Sequence, residues 1–78
     1  MRTREFAIRH GEDLGRTIAE ARAERGLTQE QLATRTGIER TYLARLEAGH
    51  VVQQVERALT LLRTLGVTIT ARLDGDDA

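Results

Sequence analysis

Apolar positions recur at three- and four-residue spacing along most of the chain and switch to strict alternation near its C-terminal end. From Glu12 to Arg25, Leu14, Ile18, Ala21 and the stem of Arg25 share one helical face. Gly26 is placed to end that helix. A second, short helix runs from Gln29 to about Arg35 and carries Leu32 and Ala33 on its inner side. Gly37 breaks it, Ile38 follows, and a third helix runs from about Glu39 to Glu47 with Tyr42, Leu43 and Leu46 as its apolar residues. A fourth spans about Val52 to Leu65, where Val55, Ala58, Leu59, Leu62 and Leu65 form a stripe that Leu61 widens. Gly66 stops it. Then Val67, Ile69, Ala71 and Leu73 alternate with Thr68, Thr70 and Arg72, the period of a half-buried strand rich in β-branched residues. The pattern predicts an all-α domain of four helices, or five short ones, with one C-terminal β-strand. Residues 1–11 form a basic arm, 12–66 the helical domain, 67–73 the strand and 74–78 an acidic tail.

Local chemistry supports these boundaries. Glu12 and Asp13 stand in the first turn of helix 1, where the helix dipole favours acids. Thr28 and Gln31 form a capping box, in which Thr28 accepts from a backbone N–H and Gln31 reaches back. The strand poses a question, because a single strand cannot satisfy its own N–H and C=O rows. Two partners are available. One is the arm, where Phe6 and Ile8 alternate with polar neighbours and read either as a short strand or as a flexible segment. The other is the same strand of a twofold mate, which would make an isologous dimer with Leu65, Val67, Ile69 and Leu73 at its interface.

Composition narrows the function. At 78 residues the chain is one domain with a modest core, and chains this short often gain stability by oligomerising. There is no Cys, so disulfides and thiolate metal sites are excluded. His10 and His50 lack a second ligand at helical spacing and read as surface residues. The Asp74-Gly75-Asp76-Asp77 run lacks the length and later Glu of a calcium loop. No nucleophile–base set and no Gly-rich phosphate loop is present, so neither an enzyme nor a cofactor is expected. No apolar run approaches the roughly 20 residues of a membrane span, and no apolar stretch follows Arg2, Arg4 and Arg9 as a secretory signal requires. A cytoplasmic protein is expected. Net charge is zero, which argues against nucleic acid until its distribution is considered. Residues 1–45 hold nine arginines against seven acids, and residues 46–78 hold three against five. All basic residues are Arg, which genomic codon bias accounts for and which also suits phosphate and guanine recognition.

The informative stretch is Gln29 to Ala48. A small residue, Ala33, lets two helices cross closely. Gly37 supplies the positive φ of the tight turn. Leu32, Ile38, Leu43 and Leu46 are placed to seal the wedge, leaving one face of helix 3 for a major groove. On that face stand Arg40, Thr41, Ala44 and Arg45, with Glu39 beside them. Arg can bind guanine O6 and N7 together, worth about 1–3 kcal/mol of discrimination. Glu39 could accept from cytosine N4 or repel phosphate. Tyr42 could touch the backbone of a duplex or pack along helix 3.

The segment from Leu27 to Gly49, Leu-Thr-Gln-x3-Ala-x3-Gly-Ile-x4-Leu-x2-Leu-Glu-x-Gly, resembles the helix-turn-helix of the phage lambda repressor and Cro superfamily, also called Xre-type. The resemblance implies phosphate contacts from Gln29, with Thr28 and Tyr42 nearby. It implies base reading by Arg40, Thr41 and Arg45, with Ala44 and Glu39 beside them, on a palindromic operator in the nucleoid. It also implies that Arg22, late in helix 1, pairs with Glu47 at the end of helix 3. The run Leu59-Thr-Leu-Leu-Arg-Thr-Leu-Gly-Val-Thr-Ile-Thr is similar to the end of HipB-like antitoxins. That similarity implies a C-terminal strand pairing across a dimer, repression of the protein's own promoter, and a HipA-type kinase toxin as partner. The alternatives are a solitary Xre-type regulator and a non-specific co-regulator without a toxin.

Overall fold

A computed structural model describes residues 3–75. The element order is β1 (Thr3–Ala7), α1 (Gly11–Glu24), α2 (Gln29–Thr36), α3 (Arg40–Glu47), α4 (Gln53–Thr64) and β2 (Thr70–Asp74). The tail residues 76–78 lie outside the described residues.

Helix α1 starts where two carboxylates satisfy its free N–H groups. Asp13 accepts from the backbone N–H of Arg9 and of His10, both at 2.9 Å, and Glu56 of α4 accepts from Gly11 N at 3.0 Å. The Glu56 contact ties the start of α1 to α4. At α2 the capping box forms as the sequence suggests: Gln31 N donates to Thr28 Oγ1 at 3.0 Å, and Thr28 N donates to Gln31 Oε1 at 2.9 Å. Gly37 closes α2 at φ 75°, in the left-handed region, with its N–H donating to Ala33 O.

The core is shallow. Ile8, Ala33, Leu43 and Leu59 are its buried apolar residues. Ala33 of α2 is buried as expected, and a close helix approach occurs at a glycine of α1. A Cβ on Gly15 of α1 would stand 2.0 Å from the carbonyl oxygen of Leu46 in α3. Only a glycine admits that approach, and it sets α3 against α1. Ile38 departs from its expected place in the wedge: it lies in the turn between Gly37 and the Glu39 N-cap and is 45% exposed.

The strand finds its partner within the chain. β1 and β2 are antiparallel, with Arg4 opposite Leu73 and Phe6 opposite Ala71, and Ile8 N donates to Ile69 O one step further on. The arm is therefore a strand, and the expectation of pairing with a mate is corrected at this edge. β1 lies close enough in sequence to α1 to be fastened there: Arg4 reaches Glu20 at 2.7 Å and Glu24 at 3.5 Å. Arg25 closes the other strand by donating to the Asp74 carbonyl at 2.9 Å. The strand also begins later than the alternation predicts. The N–H of Val67 donates to Leu62 O at 2.8 Å, so Val67 belongs to the turn that ends α4; hydrogen bonding to the arm begins at the Ile69 carbonyl and the strand itself at Thr70.

Candidate nucleic-acid interface

Helix α3 is amphipathic over two turns. Leu43 is buried and Leu46 half-buried against α1, and Ala44 is half-buried on one flank. With about 100° of rotation per residue, Thr41 and Arg45 point away from that contact, and Arg40 leaves the helix at its first turn. All three are exposed. Tyr42 lies on the other flank, 47% exposed. Glu39 is the N-cap residue, extended and exposed, and its carboxylate does not cap the helix.

The far end of α3 is locked by a network behind this face. Glu47 accepts from Arg22 Nε at 2.8 Å and from Arg22 Nη2 at 3.0 Å. Arg22 Nη1 also donates to Leu27 O at 2.8 Å, reaching the loop before α2. The Glu47 side chain is 6% exposed and that of Arg22 is 20% exposed. Hydrogen bonds from Arg22, joined by one from Gln29, hold the Glu47 carboxyl below its usual range against the cost of burial. One ion pair thus joins α1, the entry to α2 and the end of α3.

Gln29 enters the same network. Its Nε2 donates to Glu47 Oε1 at 3.0 Å. An amide NH2 has two donors, so one N–H of Gln29 is fixed and the other stays available at the N-terminus of α2. Thr28 Oγ1 accepts from Gln31 N, which leaves its hydroxyl proton free to donate outward. The resemblance implied the pairing of Arg22 with Glu47, which the structure contains. It gave no sign that Gln29 and Glu47 touch, since that depends on how α2 crosses α3.

Electrostatics resolves the zero net charge. Arg4, Arg16, Arg22 and Arg72 are each within 4.0 Å of a carboxylate. Among the described residues, Arg35, Arg40 and Arg45 form no such pair, and neither do Arg9, Arg25, Arg57 and Arg63. Along α2 and α3, Glu30 and Glu39 are likewise outside any ion pair, so Arg35, Arg40 and Arg45 leave a small positive excess on these two helices. Sequence reasoning missed a further neighbour. The turn at Gly49 brings His50 beside α3, where a shallow groove is lined by Glu39, Thr41, Tyr42, Arg45, His50 and Val52. His50 N donates to Arg45 O at 2.9 Å.

No helix among the described residues is long and apolar enough to cross a membrane. No solved structure matches the chain significantly. Two relatives do match in sequence. An uncharacterized HTH-type transcriptional regulator, y4mF, of Sinorhizobium fredii is 33% identical over 64 residues, covering 82% of this chain and 84% of the relative. An uncharacterized HTH-type transcriptional regulator of Haemophilus influenzae is 38% identical over 50 residues, covering 64% of this chain and 51% of that longer protein. The helix-turn-helix family model HTH_3 matches residues 18–71, from the middle of α1 into β2, and the chain belongs to that lambda-repressor-like family.

Proposed function

We propose that this protein is a sequence-specific, dimeric DNA-binding repressor that inserts α3 into the major groove. The observation that carries this reading is the pair of unpaired arginines on the exposed side of α3, a helix held rigidly from behind by Arg22 and Glu47. Arg40, Thr41 and Arg45 read base edges, with Ala44 small enough to let the helix approach. Glu39, free of the helix cap, can accept from cytosine N4. Thr28, the second N–H of Gln29 and the Tyr42 hydroxyl hold phosphates on either side.

Dimerisation is supported by surface and shape. The chain exposes 5695 Å², whereas a compact monomer of its mass exposes about 4,700 Å². Its radius of gyration is 13.5 Å, against about 11.5 Å for a compact domain of this length. Leu61, Leu65 and Val67 are 65%, 75% and 46% exposed at the end of α4 and the turn after it. These three are proposed to meet a second copy, with Ile69 and Leu73, half-buried within the chain itself, adjoining them. Two recognition helices then meet half-sites roughly 34 Å apart.

An antitoxin role, with a HipA-type kinase toxin as partner, rests on the resemblance of residues 59–70 alone. Co-expression with a kinase-like neighbour encoded beside this gene tests it: a stable complex supports it, and separate elution rejects it. The DNA reading is tested by fluorescence anisotropy. Arg45→Ala is expected to lose preference between operator and random duplex. Gln29→Ala is expected to weaken binding to both alike, by about tenfold. Unchanged affinities in both variants would reject this docking.

A further inference from the structure

A cavity of about 200 Å³ opens where the end of β1 meets the turn after α4. Ile8, which is buried, lines it together with Val67 and Ile69, and Arg9, Arg63 and Thr68 supply its polar part. No acidic residue lines it, although the chain has as many acids as bases. No residue of α2 or α3 lines it either, so it stands apart from the proposed DNA face. Arg63 is fixed in place: its Nη1 donates to the Arg9 carbonyl and its Nη2 to Thr60 Oγ1 at 3.1 Å. Neither guanidinium lies within 4.0 Å of a carboxylate among the described residues. Ile8 N donates to Ile69 O, but the backbone N–H groups of Thr68 and Ile69 find no backbone acceptor among the described residues.

Two cations and spare N–H donors on one lining, with no acid among them, call for an anion from outside. A planar carboxylate matches a guanidinium fork with parallel hydrogen bonds. The apolar wall adds a second requirement, since hydrocarbon on the ligand would take Ile8, Val67 and Ile69 out of water and a bare inorganic anion would not. Volume sets the length: about 200 Å³ holds roughly seven groups of about 30 Å³ each. We propose that this cavity binds a short aliphatic carboxylate of roughly five or six carbons, its charge held by Arg9, Arg63 and Thr68 and its chain lying against Ile8, Val67 and Ile69.

Methyl NMR of the full chain tests this, with hexanoate, hexanol and inorganic phosphate titrated at constant ionic strength. Hexanoate is expected to give saturable shifts at Ile8, Val67 and Ile69. Hexanol should bind about tenfold more weakly, because it lacks the charge-assisted hydrogen bonds, and phosphate should leave these methyls unmoved. Shortening hexanoate to butyrate should cost about two- to fourfold per methylene. Arg9→Gln, whose side chain has no hydrogen-bond or ion-pair partner among the described residues to lose, should weaken hexanoate about tenfold with an unchanged circular dichroism spectrum. Val67 also belongs to the face proposed to meet a second copy. The titrations are therefore repeated on Leu65→Gln, which weakens that face without adding charge, so that a dimer covering the cavity does not hide it. Saturable, charge-selective binding by either protein supports the site. No saturable shift in both, or equal affinity for hexanoate, hexanol and phosphate, or no loss in Arg9→Gln, overturns it. None of these results bears on DNA binding by α3.

Discussion

Glu47 connects the chain's stability to its proposed function at the scale of single residues. Its two oxygens accept three hydrogen bonds, two from Arg22 and one from Gln29. Replacing it with Ala leaves Arg22 without a counter-charge and releases the Gln29 amide. A fully buried pair would cost about 3–5 kcal/mol to break in this way. Arg22 keeps part of its contact with water, so about 2 kcal/mol is expected, read as a lower urea midpoint at constant m. The same network predicts a dependence on pH. Glu47 and Asp13 are both held below their usual carboxyl range, Glu47 chiefly by Arg22 and Asp13 chiefly by the N–H groups of Arg9 and His10. A lowered pKa in the fold means that the unfolded chain takes up protons first. Stability from both groups is therefore complete above the ordinary carboxyl range, about pH 4, and is lost as pH falls through their folded values. Glu47→Gln should be less stable at neutral pH and should lose less on acidification. Parallel curves for the two proteins between pH 6 and 3 would show that Glu47 carries no such contribution.

Two glycines set the geometry of the elements, and they do so by different means. Gly37 has a positive φ, but a Cβ there would meet nothing within 4 Å. Gly37→Ala should therefore cost only the left-handed backbone penalty, about 1–2 kcal/mol, and leave the placement of α3 intact. Gly15 sits in regular helix, where Ala is by itself the better helix former. Its substitution nonetheless drives a methyl into the Leu46 carbonyl at 2.0 Å, and α1 and α3 must separate. Gly15→Ala is expected to destabilise by about 3 kcal/mol, near the upper range for overpacking, and to weaken DNA binding more than Gly37→Ala does. Thermal melts and titrations of the two variants side by side check this. A Gly15→Ala protein as stable as the parent would mean that the helices yield there freely.

The contrast between these glycines also marks what could be read from the sequence. Gly37 announces itself because it interrupts a local pattern between Thr36 and Ile38, as do the Thr28–Gln31 box and the helical stripes around Leu43 and Leu59. These are short-range signals, and the four helices lie within a residue or so of where the pattern put them. Gly15 interrupts nothing, since its reason is a backbone from another helix. The contact between Gln29 and Glu47 and the carboxylate of Glu56 at the start of α1 are illegible for the same cause. The strand was legible as a strand from its alternation. Its partner was not, because Phe6 and Ile8 in the arm fit the pairing as well as a mate's strand would. The starting point of β2 was missed because a helix-ending turn takes the Val67 N–H, which alternation of apolar residues cannot reveal.

The whole molecule is a slab of 37 × 32 × 17 Å, and its thinness bears on how dimerisation is to be tested. Deleting residues 67–78 would remove the proposed apolar contact, but it would also remove the partner of β1 and the Arg25–Asp74 bond. Loss of a dimer there could not be told from loss of the sheet. Surface substitution separates the two. Leu65 is 75% exposed and lies just beyond α4, so Leu65→Glu leaves the core of one protomer untouched. If the face of Leu61, Leu65 and Val67 meets its twofold mate, the substitution sets two carboxylates close together in an apolar contact. Sedimentation at micromolar concentration should then show a monomer in place of a dimer, with an unchanged helical spectrum. Binding to a palindromic duplex should weaken by at least tenfold, whereas binding to a single half-site should change little, because the α3 surface is intact. A variant that sediments as a dimer would place the interface elsewhere. The outer edge of the two-stranded β1–β2 sheet would then be next, because an edge strand presents unpaired backbone donors and acceptors.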